Sequence, residues 1–131
     1  MNLLLDTQCW MWWIESPERL GREALQLINA GQNRVYFSVA SAWEIASKYA
    51  LGKLPLPEPP AAFLPPRLAR DHFQVLLVAL EHTLQVAELP HHHRDPFDRL
   101  LIAQSRLEKL PILSADPVFG KYEVEVIPAS R

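Results

Sequence analysis

The chain is short of cysteine, of long apolar runs and of excess positive charge, and each shortage removes a class of protein. A single cysteine, Cys9, in 131 residues rules out an intramolecular disulfide and gives no Cys-x-x-Cys metal site. That usage fits a reducing cytoplasm. No apolar stretch reaches the roughly 20 residues needed to cross a bilayer. Residues 3–5 are apolar but meet Asp6 at once, with no Lys or Arg before them, so no secretory leader is legible. The expectation is a soluble, cytoplasmic protein with no membrane association. A formal net charge of −2 argues against coating nucleic acid through bulk positive charge. It leaves open an enzyme that holds nucleic acid through metal ions and a few local cations.

What is present suits one globular domain over residues 1–131, with 49% hydrophobic residues and no internal repeat. Residues 3–5, 35–37, 73–78 and 111–113 are apolar runs rather than alternations, with 124–127 a weaker fifth. Such runs predict strands buried on both faces, as in parallel sheets. Helical spacing lies between them. One helix is predicted from Pro17, capped by Ser16 and stopped by Gly31; others cover 43–51, 61–70, 81–88 and 97–107. A short helix carrying Trp10, Trp12 and Trp13 follows Asp6. Residues 54–66 hold six of the 12 prolines and read as a stiff surface connection. The fold class is α/β: a three-layer α/β/α sandwich around a mostly parallel sheet of about five strands.

The acids fall at telling places in this pattern. Asp6 follows the first strand, and Asp116 lies two residues past Ser114, at the end of the fourth. Both belong at the carboxyl edge of a parallel sheet, where α/β folds place ligands. A crossover helix starts at that same edge, and the predicted helices put Glu44 and Asp98 in first turns. Four carboxylates at one edge repel one another unless a cation sits among them. Mg²⁺ and Mn²⁺ prefer carboxylate and water oxygens and acidify a coordinated water. Each acid also has an ordinary reading: Asp6 as a turn residue, Ser41-x-x-Glu44 as a capping box, Asp98 as a dipole partner and Asp116 as an N-cap. Strand order, which decides whether the four converge, is open at this point. Thr7 and Ser114 offer hydroxyls either to orient a water or to cap turns.

The motifs around these acids resemble the PIN-domain ribonucleases of the VapC type, toxins of bacterial toxin–antitoxin pairs. The matching stretches are Leu4-Leu5-Asp6-Thr7, Ser41-Ala42-Trp43-Glu44-Ile45 with Lys48, Leu51-Gly52-Lys53-Leu54, the run from His93 through Asp95-Pro96-Phe97-Asp98 to Gln104, and Leu113-Ser114-Ala115-Asp116. Ser114 stands where many relatives carry Thr, which keeps the hydroxyl. The resemblance implies Mg²⁺- or Mn²⁺-dependent cleavage of RNA, neutralisation by a cognate antitoxin and a homodimer. Carried over by motif, the catalytic and metal-binding set is Asp6, Glu44, Asp98 and Asp116. Asp95 is the ambiguous member, either capping its helix, holding Arg94 or Arg99, or joining the metal.

Cations beside the acidic motifs, Arg94, Arg99 and Lys48, are the candidates for RNA contact. Arg99 has an internal alternative with Asp95, and Lys48 an ordinary helix pair with Glu44. His91-His92-His93 invites zinc, but three consecutive histidines do not easily aim at one ion and no His-x-x-x-His accompanies them. A surface loop is the expectation, with His93 able to approach a phosphate. The tryptophans after Asp6 read as core, or as an apolar groove for an antitoxin segment. Two rivals to the toxin remain: a housekeeping RNA-processing nuclease of the same fold, and a noncatalytic domain that binds protein or RNA. A metal-dependent phosphatase is disfavoured because no Asp-x-Asp follows the first strand.

Overall fold

A computed structural model describes residues 1–130. Its chain order is β1 (Asn2–Leu5), α1 (Thr7–Glu15), α2 (Arg22–Asn29), β2 (Arg34–Ser38), α3 (Val39–Ala50), α4 (Pro60–Arg70), β3 (Gln74–Leu76), α5 (Leu80–Gln85), α6 (Pro96–Glu108), β4 (Ile112–Ser114) and β5 (Val126–Pro128). The five strands form one wholly parallel sheet in the order β3-β2-β1-β4-β5. Leu3 and Leu5 face one hydrophobic cluster and Leu4 the other, all fully buried. The apolar run of β1 thus serves two cores, one on each face of the sheet. Trp10, Ala24, Phe63 and Leu64 bring α1, α2 and α4 to the first core; Leu100 to Ala103 bring α6 to the second. These are the three layers the pattern predicts.

Four local readings need correction. The helix predicted from Pro17 is split: a 3₁₀ turn covers Pro17–Arg19, and α2 starts only after Gly21. Between them Leu20 is drawn into the core and bridges Ser130, while Gly21 N–H donates to Ala129 C=O at 2.8 Å. That extended pairing interrupts the helix. Next, α3 begins at Val39, not Trp43, because the Ser38 hydroxyl accepts from Ala40 N–H at 2.9 Å and caps it directly at the end of β2. Glu44 therefore sits in the second turn of α3, and Ser41-x-x-Glu44 is not a capping box. Third, Pro60, Pro65 and Pro66 lie inside α4 rather than in a connection. Pro60 suits a first turn; the other two remove backbone donors, and burial of Phe63 and Leu64 holds the helix onto the core. Finally, β3 is an edge strand whose Val75 is half exposed, so it is not covered on both faces.

Strand order supplies what periodicity left open. The chain leaves β1 toward β2 and β3 on one side and returns to β4 and β5 on the other. The sheet's switch point falls between the adjacent, parallel strands β1 and β4, where a crevice opens beyond the carboxyl ends. Asp6 and Asp116 stand on its two sides.

Candidate active site

One cleft of about 400 Å³ at this edge is lined by Asp6, Thr7, Glu44, Lys48, Asp95, Asp98 and Asp116, with Phe119 and Leu54 among its apolar walls. The acids thus gather from α1, α3, α6 and the turn after β4. Arg94 and Arg99 are not on the lining.

Asp6 caps α1: Oδ1 accepts from Cys9 N–H at 2.7 Å, and Oδ2 accepts from the Ser114 hydroxyl at 2.6 Å. Ser114 Oγ in turn accepts from Asp116 N–H at 3.0 Å. This hydroxyl ties the acid after β1 to the backbone after β4. The Thr7 hydroxyl donates to Ser41 Oγ at 2.8 Å and fastens α1 to α3. Both hydroxyl protons are engaged within the chain, so Thr7 and Ser114 brace the site. Burial pushes the Asp6 carboxyl up from its ordinary value, against the pull of hydrogen bonds from Cys9 and Ser114, with the charge of Glu44 adding to the rise. Burial likewise pushes the Cys9 thiol up, which keeps it protonated and unreactive.

Glu44 is only 6% exposed. Its Oε2 pairs with Lys48 one turn on, while Oε1 is buried without any partner among the described residues. The ion pair pushes the Lys48 ammonium up. Asp98, in the first turn of α6, lies 2.7 Å from His93 Nε2 through Oδ2. Its carboxyl is pushed up to about 7, by burial first and then by the charge of Asp95, with the His93 bond opposing and Glu44 and Asp6 contributing. Asp116 caps the turn Pro117–Lys121 through Val118 N–H at 3.0 Å, and its Oδ2 is 4.0 Å from His93 Nε2.

Asp95 lines the cleft, yet its Oδ1 accepts from Phe97 N–H at 2.8 Å and Asp98 N–H at 3.3 Å, making it the N-cap of α6. Of the cations, Lys48 faces the cleft with its charge spent on Glu44, and Arg94 is exposed. Arg99 is the clear correction. It is buried and donates to the carbonyls of Val86, Leu89, Pro90 and His93 and to Tyr122 Oη. Its guanidinium shapes the loop before α6 and is not presented to RNA. Of the tryptophans, Trp10 is core against Phe37 and Phe63, while Trp13 is partly buried, lines a surface pocket and donates Nε1–H to Asp71 at 3.0 Å. A more apolar groove of about 310 Å³ lies between α3 and α4, lined by Ala42, Ala46, Leu64, Leu68 and Val75.

Pattern reading undervalued His93. The triplet looked like a surface loop, and His91 and His92 are exposed. His93 reaches the cleft acids because it sits immediately before the capping turn of α6, and that adjacency was the available signal. The donor set fits a hard divalent cation: an orphaned buried carboxylate oxygen, two carboxyls raised by burial and mutual repulsion, and carboxylate ligands throughout.

A parallel α/β domain with an acidic crevice at its switch point defines the class. The chain belongs to the PIN domain family, whose sequence model matches residues 3–125. It is 44% identical over 61 residues to Ribonuclease VapC16 of Mycobacterium tuberculosis, a match spanning 47% of this chain and 43% of that relative's length. Its fold resembles the VapBC2 structure from Rickettsia felis bound to a promoter DNA fragment, with TM-score 0.75 and 16% identity over 99% of this chain and 100% of that one. It also resembles the DNA-bound VapBC of Salmonella typhimurium, with TM-score 0.69 and 22% identity over 98% of both chains.

Proposed function

We propose that this chain is a divalent-metal-dependent endoribonuclease and the toxin of a toxin–antitoxin pair. The observation that carries the catalytic part is the unpartnered, buried Oε1 of Glu44 in a cleft shared with Asp6, Asp98 and Asp116. A domain that only binds protein or RNA has no use for a buried carboxylate oxygen left without a hydrogen-bond partner. Asp6, Glu44, Asp98 and Asp116 are the residues that would hold Mg²⁺ or Mn²⁺. A bound cation supplies Lewis acidity at a phosphate and acidifies water for in-line attack at phosphorus. Asp6 offers lone pairs beyond those used by Cys9 and Ser114, and Lys48 holds the Glu44 carboxylate in place. Asp95 acts through the α6 cap.

RNA as substrate and an antitoxin as partner are supported by the VapC16 match and by the VapBC complexes that share the fold. We expect a cytoplasmic protein, in keeping with its single cysteine. We assign the groove between α3 and α4 to an apolar antitoxin segment, and expect two copies of the chain to pair. No helix among the described residues is long and apolar enough to cross a membrane. Incubating purified protein with total RNA, with and without Mg²⁺ or Mn²⁺, tests the reading. Cleavage should require the cation and fall on the order of a hundredfold or more in Asp6→Asn; equal cleavage by both proteins removes the proposed site. Expression without a partner should arrest growth, and co-expression of the antitoxin from an adjoining gene should restore it.

A further inference from the structure

The loop entering α6 is built around a buried arginine, and that arginine ends on a histidine. Arg99 donates through Nη1 to the carbonyls of Pro90, at 2.9 Å, and His93, at 3.4 Å. Through Nη2 it holds the carbonyls of Val86 and Leu89 at 3.0 and 3.3 Å. Tyr122 Oη accepts from His92 N–H at 3.1 Å and from Arg99 at 3.4 Å. The His93 ring also lies edge-on to Phe119, centroids 6.4 Å apart. Backbone and ring of this residue are therefore both fixed, although its neighbours His91 and His92 are exposed.

The fixed ring stands between two acids from different elements. His93 Nε2, a carboxylate oxygen of Asp98 and one of Asp116 all lie within 4.8 Å of one another. We propose that His93 is a positioning residue that holds the Asp98 carboxylate for a divalent cation by donating Nε2–H to Oδ2, with Arg99 and Tyr122 as its mount. The proposal rests on the reading of the cleft as a metal site. One Asp98 oxygen is engaged by the ring and the other is left for a cation. Such outer partners orient a ligating carboxylate, and their removal typically weakens metal affinity by about ten- to a hundredfold. A histidine that merely filled space beside Phe119 would be replaceable by any side chain of similar size.

The test is direct Mn²⁺ binding by titration calorimetry on the purified full chain without RNA. It compares wild type, His93→Ala, His93→Gln and Asp98→Asn, with metal-free thermal unfolding recorded for each. The expected result is Mn²⁺ binding weakened about tenfold in His93→Ala and largely restored in His93→Gln, whose amide N–H can donate in place of the ring. Wild-type affinity in His93→Ala, with binding lost in Asp98→Asn, overturns the role of His93 and leaves the metal site standing. Weakening that His93→Gln does not restore also overturns it, since the effect is then loop packing. Unchanged binding in Asp98→Asn removes the metal-site reading itself, and the His93 role with it.

Discussion

Two clusters among the described residues place carboxylates and an imidazole within 4.8 Å of one another: His93, Asp98 and Asp116 in the cleft, and Glu81, His82 and Glu108 between α5 and α6. By proximity alone they are equivalent. Their hydrogen bonds separate them. His82 Nδ1 accepts from Ala79 N–H at 2.9 Å, so the ring proton is on Nε2, which donates to Glu108 at 2.8 Å. Neither ring nitrogen keeps a lone pair for a cation. In the cleft, Glu44 Oε1 has no hydrogen-bond partner among the described residues, and burial leaves Asp6 and Asp98 with raised carboxyls. The cleft is marked by a buried carboxylate oxygen without a partner and by acids that repel one another, the latch by a ring whose two nitrogens are both engaged.

The largest test of that contrast is catalytic. Asp6→Asn keeps the shape of the side chain but removes a charge from the cleft. RNA cleavage with saturating Mn²⁺ should fall on the order of a hundredfold or more. Glu108→Gln should cleave at the wild-type rate in the same assay. Comparable losses in the two variants would erase the distinction between the clusters.

The crowding of the cleft acids should also be visible without substrate. Carboxyls raised in the folded state bind protons that the unfolded chain has released. For Asp98 this holds between the ordinary carboxyl value, 3.8, and about 7. Across that window the folded state holds more protons, so stability falls as pH rises. Metal-free protein should lose on the order of 2 kcal/mol between pH 4.5 and 7.5, read from urea unfolding midpoints. Mg²⁺ should restore it at pH 7.5, and Asp98→Asn should flatten the profile. A metal-free profile that rises with pH over this range would show that the acids are already compensated.

How far this was legible in sequence follows the same line between local and global causes. Apolar runs announced β1, β2 and β4, because strands buried on both faces leave no polar alternation. The edge position of β3 was hidden, since residues 73–78 are as apolar as a central strand and only the pairing partner is missing. Asp6 and Asp116 were placed correctly by following strands. Glu44 reached the cleft for a reason the pattern misassigned: Ser38 starts α3 early, and a long side chain from the second turn spans the remaining distance. Convergence itself needed the strand order, which no local window contains. Arg99 was misread because its partners are backbone carbonyls, and a carbonyl-lined cage leaves no residue signature.

Breaking the latch should cost stability and spare the cleft. His82 is 2% exposed, and His82→Ala leaves Ala79 N–H and the nearby Gln104 Nε2–H, 3.4 Å from the ring, without this acceptor. A buried unsatisfied donor costs about 1–3 kcal/mol, measurable as a lower urea midpoint. Mn²⁺ affinity should stay within twofold of wild type. A parallel loss of Mn²⁺ binding would mean that the α5–α6 junction, and not the cleft acids alone, sustains the site.

The finest discrimination comes from Glu108→Gln. The Glu108 side chain is 38% exposed, so solvent screens its charge and an exposed pair is worth about 0–1 kcal/mol. Glutamine Oε1 can still accept from His82 Nε2–H, which preserves the hydrogen bond while deleting the charge. Stability should therefore move by less than about 1 kcal/mol, because the buried half of the latch, Ala79 N–H to Nδ1, is untouched. The ring tautomer is dictated by that backbone donor and not by Glu108. Loss of several kcal/mol would instead require a charged imidazolium paired with Glu108, and that ring would have a proton on both nitrogens and no acceptor for Ala79. The ¹⁵N shifts of the His82 ring decide between the two, since only one tautomer of the neutral ring is compatible with an acceptor at Nδ1.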